Sequence, residues 1–237
     1  MYLAIDTSTS WTGLALAEDK GLIAEISWRT EQNQSVELLP NLTNLLKRIK
    51  REIAEVKGLC VALGPGSFNG LRVGLSTAKG LAYGLRIPVV GVSTLEATAY
   101  PFFHYGFNIC SLQGAGRKEV AVAIFRSMRG KWIKLLEEQI MTPEELCKYI
   151  NKQTIFCGEI PEDAEKFLKE KLKTRAHFPH PFMCLRRPGN VLCLGLERLL
   201  KGEKDDPATL QPLYLRRPPI TMSKKAKFGA FFKDSIA

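Results

Sequence analysis

The sequence predicts an α/β protein made of two mixed-sheet lobes, on three features. Strand-like runs and helical periodicities follow one another over the first hundred residues in the order strand, strand, strand, helix, strand, helix. A similar strand meander restarts at Asn108. Between Leu63 and Leu75 lies a glycine-rich turn, Gly64-Pro65-Gly66-Ser67-Phe68-Asn69-Gly70-Leu71-Arg72-Val73-Gly74, with a strand before it and a small-residue helix after it. A chain of 237 residues is long enough to bury a sizeable core, in one large domain or two modest ones.

The elements follow from the N-terminus. Tyr2-Leu3-Ala4-Ile5 is a short apolar strand, and Asp6-Thr7-Ser8-Thr9-Ser10 is a hydroxyl-rich turn. Thr12 to Ala17 and Leu22 to Trp28 are further strands, with Gly21 marking the turn between them. Leu38, Leu39, Leu42, Leu45, Leu46, Ile49 and Ile53 recur at helical spacing, which predicts a helix from Val36 to Lys57, capped by Ser35 and stopped by Gly58. Leu59 to Leu63 is a buried strand. A helix from Gly70 to Leu85 follows, with Gly70, Gly74 and Ala78 four residues apart on one face. Glycine in a helix costs about 1 kcal/mol relative to alanine, so a close neighbour or a ligand must offset it. Pro88 to Val92 is a strand, Ser93 or Thr94 caps a helix from Leu95, and Pro101 interrupts it. The boundary between lobes is expected there, giving residues 1–103 and 104–237, with the tail of the second lobe packing back on the first.

In the second half, Asn108 to Leu112 is a strand, Gln113 to Arg117 a turn, and Glu119 to Phe125 and Trp132 to Gln139 two more strands. Thr142-Pro143-Glu144-Glu145 is a strong helix start: a threonine cap, proline at the first helical position, then acids. Thr154 to Gly158 is a strand, Glu162 to Lys173 a charged helix, and Val191 to Leu200 an apolar helix closed by Gly202. The chain is proline-punctuated from Asp205, and its basic end, Lys224 to Lys233, is expected to be loosely ordered.

A net charge of +10 favours polyanions or acidic partners. It is clustered at Lys47 to Arg51, Lys166 to Arg175, Arg186-Arg187, Arg216-Arg217 and Lys224 to Lys227, without the interleaved aromatics of an RNA-binding motif. No apolar run reaches the roughly 20 residues that span a bilayer, and the first strand meets an acid after five residues, unlike a signal peptide. A cytosolic protein without membrane attachment is expected. The six cysteines form no C-x-x-C pair and read as reduced thiols, with Cys60, Cys110 and Cys193 in apolar runs.

The candidate chemistry is sparse. Asp6, Thr7 and Ser8, at the end of the first strand, offer oxygens to a hydrated metal or a phosphate-bearing cofactor, or else close their own turn. The glycine segment lacks the Gly-Lys-Ser/Thr ending of a P-loop, and its glycine spacing does not match a dinucleotide fingerprint. His177 and His180 bracket Phe178-Pro179, which keeps both imidazoles off one helical face, and His104 stands alone. Ser67 lacks the G-x-S-x-G elbow. No complete catalytic apparatus emerges.

Leu3-Ala4-Ile5-Asp6-Thr7-Ser8, Glu37-Leu38-Leu39-Pro40, the glycine segment, Ala78-Lys79-Gly80-Leu81-Ala82 and Pro88-Val89-Val90-Gly91-Val92-Ser93-Thr94-Leu95 together resemble the bacterial TsaB (YeaZ) family. The likeness runs more weakly through Ala115 to Val120 and Leu213-Tyr214-Leu215-Arg216. It implies a two-lobed fold of the actin, sugar-kinase and Hsp70 class. It further implies a non-catalytic subunit in the formation of threonylcarbamoyladenosine beside the tRNA anticodon. The expected partners are the catalytic paralogue TsaD, the ATPase TsaE and, through the complex, tRNA. A homodimer in isolation and ATP in the complex are both compatible with this. Pairing through N-terminal helices points to Leu38, Leu39, Leu42, Leu45, Leu46, Gly70, Arg72, Gly74 and Ala78 as the partner interface.

Two positions depart from the family's usual pattern: Gln34 stands where a histidine is common, and Gly114 where an aspartate is common. The rival readings are a stand-alone ATPase or kinase of the same fold and, more remotely, a glycoprotease-like peptidase.

Overall fold

A computed structural model describes residues 1–19, 21–31 and 33–216; the expectations for Arg217 and the basic end lie outside these. The first sheet contains β1 (Tyr2–Asp6), β2 (Trp11–Glu18), β3 (Gly21–Arg29), β4 (Gly58–Gly64) and β5 (Val89–Ser93). It is flanked by α1 (Gln34–Arg48) and α2 (Phe68–Leu85), and α3 (Thr94–Ala99) leads away from it. The second sheet contains β6 (Asn108–Gly116), β7 (Glu119–Met128), β8 (Lys131–Met141), β9 (Thr154–Cys157) and β10 (Ala176–His177). With it go α4 (Pro143–Cys147) and α5 (Glu162–Leu172), and α6 (Pro188–Leu200) closes the series.

The two sheets share one topology. The first runs β3-β2-β1-β4-β5 and the second β8-β7-β6-β9-β10. In each, the first three strands are antiparallel and the last two join them in parallel. The duplication suggested by the restart at Asn108 is therefore present in the backbone.

Side-chain size dictates what covers each face of the first sheet. Leu3, Ile5, Leu14, Leu16, Leu59 and Val61 point to one side and pack under the leucines of α1 and the inner face of α2. Ala4, Ala15, Ala17, Cys60 and Ala62 point to the other, where α6 lies with Val191 and Leu192 against them. Small residues there allow close approach: a Cβ at Gly195 would overlap Cys60. In the second sheet, Cys110, Leu112, Val122 and Phe156 pack with α4 and α5, whereas Ile109, Ala123, Phe125 and Ile155 pack with Leu95 and Ala99 of α3 and with Phe102.

The inner helices are thus exchanged. Each sheet lies on its own side of the 103/104 division, yet α3 from the first half covers the second sheet and α6 from the second half covers the first. The layers run α1/α2, sheet, α6 and α3, sheet, α4/α5.

Several boundaries differ from expectation. The helix expected over 36–57 is α1, which stops at Arg48. Lys50 turns left-handed (φ +56°), Arg51 N–H bonds the Leu46 carbonyl at 3.0 Å, and a single 3-10 turn follows at Ile53–Glu55. Gly58 begins β4 instead of ending the helix. The strand expected to stop at Leu112 continues to Gly116, and the hairpin turns at Arg117 and Lys118, both left-handed. Cys193, expected in the interior, is exposed, whereas Cys60, Cys110 and Cys157 are buried. The short strand β10 had no sequence signal, its two residues being an alanine and a histidine.

Candidate functional site

A cleft of about 1020 Å³ opens between the lobes. Thr9, Ser10, Gly66 and Ser67 line its first wall, Gln113, Gly114 and Gly158 its second, and the segment from Phe178 to Arg186 closes one end.

The first wall is built from the turn after β1. Asp6 is 3% exposed. Its Oδ1 accepts from the Ser8 backbone N–H at 2.9 Å and from Ser8 Oγ at 2.6 Å. Its Oδ2 accepts from Arg186 Nε at 2.5 Å. The same guanidinium donates to Ser8 Oγ at 2.9 Å and to Thr9 Oγ1 at 3.2 Å. Both carboxylate oxygens are thus committed within the chain. Thr7 Oγ1 donates inward to the Gly70 carbonyl at 2.6 Å.

The glycine segment is occupied in the same way. Ser67 caps α2 by accepting from Gly70 N–H at 3.3 Å, and Ser67 N–H bonds the Ser8 carbonyl at 2.6 Å. A Cβ at Gly66 or Gly70 would strike the carbonyls of Ser8 and Thr7, and one at Gly74 the Thr7 hydroxyl. The space these glycines free is filled by the chain's own β1–β2 turn. Asp6, Thr7 and Ser8 come together as expected, but with Arg186 among them. The set does not fit an external metal or phosphate, because the donors and acceptors such a group needs are already paired.

The expected interface residues divide sharply. Leu38, Leu42, Leu45 and Leu46 are 1% to 6% exposed and belong to the first core. Gly70, Gly74 and Ala78 are buried on the inner face of α2. These seven cannot meet a partner, since the hydrophobic spacing that marked them marks core packing. Leu39, 50% exposed, and Arg72 remain on the surface. Arg72 stacks over Phe68, with 3.8 Å to the ring centroid, and its Nε donates to Tyr214 Oη at 3.2 Å.

The two positions that depart from the family pattern have local explanations. Gln34 is buried at a second hollow, with Thr9, Ser10 and Ser67. Gly114 faces Pro161, whose Cγ would lie 3.1 Å from a Cβ there, so a larger residue at 114 would require that ring to yield. The histidines stay apart. His177 stacks on Phe107, His180 stacks on Phe182, and His104 packs beside Phe103. Among the described residues no group of three His, Cys, Asp or Glu side chains could hold a metal, and no helix is long and apolar enough to cross a membrane.

Sequence reasoning missed one residue and foresaw a second element only as a tail packing back on the first lobe. Arg186 looks like half of a surface basic pair; only the need of a buried aspartate for a partner could have pointed to it. The strap from Asp205 to Arg216 gave no periodic signal. It pairs with β5 at Val89, bonds the Leu63 carbonyl through Leu213 N–H at 2.7 Å, packs the Tyr214 ring at a tilt against Phe68 and ends with Arg216 bonded to Glu119 of the second lobe.

A family model described as TsaD, tRNA N6-adenosine threonylcarbamoyltransferase, matches residues 22–205. Over 217 residues, 90% of this chain and 93% of the relative, the sequence is 30% identical to the tRNA threonylcarbamoyladenosine biosynthesis protein TsaB of Bacillus subtilis. Over 166 residues, 65% of this chain and 69% of the relative, it is 31% identical to the protein of that name from Haemophilus influenzae. The solved structure of YeaZ from Pseudomonas aeruginosa superposes with a TM-score of 0.75 at 22% identity, covering 90% of this chain and 99% of that one, a likeness of fold.

Two lobes of duplicated topology around a central cleft define a protein of the actin, sugar-kinase and Hsp70 class. Within that class, the chain belongs to the TsaB (YeaZ) family.

Proposed function

We propose that the chain is a non-catalytic subunit of the machinery that makes threonylcarbamoyladenosine in tRNA, docking on a TsaD-type paralogue through the outer faces of α1 and α2. The names of its relatives support the pathway. One observation supports the docking face: Gly80 lies in the body of α2 and Gly84 in its last turn, with nothing among the described residues within 4 Å of a Cβ built on either. No contact among the described residues needs glycine there, although glycine inside a helix costs about 1 kcal/mol against alanine. With exposed Ser76 they form a groove at four-residue spacing, beside Tyr83 (60% exposed), and α1 adds Val36 (68%) and Leu39. This outward groove takes over the role expected of Gly70, Gly74 and Ala78.

In this reading ATP is handled by the catalytic paralogue and a TsaE-like ATPase, tRNA is reached through the complex in the cytoplasm, and the same face pairs two copies when the chain is alone. The closed Asp6 turn supports the absence of a reaction of its own. Co-expression with the paralogue tests the proposal, followed by an assay of modified tRNA with and without this chain. Loss of modification without the chain is expected. Full modification without it, or ATP turnover by the chain alone that Asp6→Ala abolishes, would overturn the proposal.

A further inference from the structure

The Asp6–Arg186 pair spans 180 positions of sequence and is nearly sealed, with side-chain exposures of 4% and 5%. Arg186 precedes α6 and is the last residue of the segment that closes the cleft. Its guanidinium takes three oxygens of the first lobe: Asp6 Oδ2, Ser8 Oγ and Thr9 Oγ1. One carboxylate and two hydroxyls are also the hard oxygen donors that a hydrated divalent cation takes.

We propose that Arg186 is a built-in counter-cation. It holds the place of an external ion in the Asp6–Thr9 turn, keeps the turn from binding divalent cations, and pins the segment before α6 to the first sheet. Three observations carry this. The carboxylate is buried and needs a positive partner. The planar guanidinium reaches carboxylate and hydroxyls together, which a point charge cannot do equally well. The neighbouring Arg187 serves differently, bonding the Glu25 carboxylate from an exposed position.

The test uses the full chain with Arg186→Met, Arg186→Lys and the double variant Asp6→Asn/Arg186→Met. Each is melted with and without Mn²⁺, and ion binding is read from the loss of the free Mn²⁺ resonance signal. Wild type is expected to ignore Mn²⁺. Arg186→Met should melt lower and regain melting temperature as Mn²⁺ rises, because an ion that binds only the folded state stabilises it. Arg186→Lys should keep the site closed to Mn²⁺ but melt below wild type. The double variant should melt above Arg186→Met without added ion and show no Mn²⁺ response.

Binding of Mn²⁺ by wild type as tightly as by Arg186→Met would overturn the proposal, as would Arg186→Met binding none. If Arg186→Met does not fold, the double variant decides. Recovery of folding when both charges are removed supports a counter-ion, and an equally unfolded double variant overturns it.

Discussion

Gly74 lies directly beneath Thr7: a Cβ at position 74 would overlap the Thr7 hydroxyl, which is itself held by the Gly70 carbonyl at 2.6 Å. The helix after the glycine loop is therefore locked onto the turn after the first strand. Gly74→Ala should destabilise the isolated chain by about 1–3 kcal/mol, the usual cost of overpacking, read as a lower denaturant midpoint. Gly74→Leu should prevent folding altogether. A Gly74→Leu protein that folds but fails to pair would restore the interface role first expected of this residue.

The opposite outcome is expected on the outer face of α2. Gly80→Ala and Gly84→Ala have open space and should each stabilise the isolated chain by about 0.4–1 kcal/mol, through helix propensity and a less mobile unfolded chain. Co-purification with a TsaD-type paralogue should weaken in the same variants. Denaturation and pull-down on one pair of proteins separate the two effects, and a stabilised variant that still pairs normally counts against the docking face.

Glu96, on α3, approaches the second lobe near Trp132, Lys134 and Glu138. Burial is the main cause that raises its pKa above the ordinary 4.5, with Glu138 adding to the rise and Lys134 opposing it. A raised folded-state value means that the folded protein holds this proton more tightly than the unfolded chain does. Its stabilising contribution is present below about pH 4.5 and lost as pH rises through the folded value. Relative to Glu96→Gln, wild type should lose stability from acid to neutral pH. For Glu138 burial is outweighed by the neighbouring Ser93 hydroxyl and the Lys134 ammonium, which together lower its pKa and give it the reverse sign, so only the difference between the two proteins isolates Glu96. A pH-independent difference would refute the assignment.

Arg216 joins the strap to the second lobe through Glu119, and both side chains are about a third exposed, at 36% and 29%. Solvent screening limits such a pair to about 0.2–1 kcal/mol of coupling. A double-mutant cycle with Arg216→Ala and Glu119→Ala should return a value in that range, falling with added salt. Coupling well above it, insensitive to salt, would mean that the strap carries more of the interlobe contact than its exposure suggests.

The apolar runs around Leu3-Ala4-Ile5 and Leu14-Ala15-Leu16 were readable as strands, while the sorting of their large and small side chains to opposite faces emerges from the fold. The cap Thr142-Pro143-Glu144-Glu145 was equally plain, and its reciprocal bonds are present at α4. Which surface of α2 faces out was not legible. Both of its small-residue rows, Gly70-Gly74-Ala78 and Ser76-Gly80-Gly84, have the same spacing, and only the fold tells which meets Thr7. Arg186 was hidden for a related reason. An arginine's burial depends on a carboxylate far away in sequence, and local pattern carries no trace of it.

The exchanged helix has a consequence for biosynthesis. β1, β2, β4 and β5 leave the ribosome early, yet their alanine and cysteine face stays uncovered until Val191 and Leu192 arrive. At roughly 5–20 residues per second, translation from the end of β5 to the end of α6 takes on the order of ten seconds. A nascent first lobe must spend that interval with an open apolar flank, within reach of chaperones. Its completion is timed by the synthesis of a helix encoded about a hundred residues later.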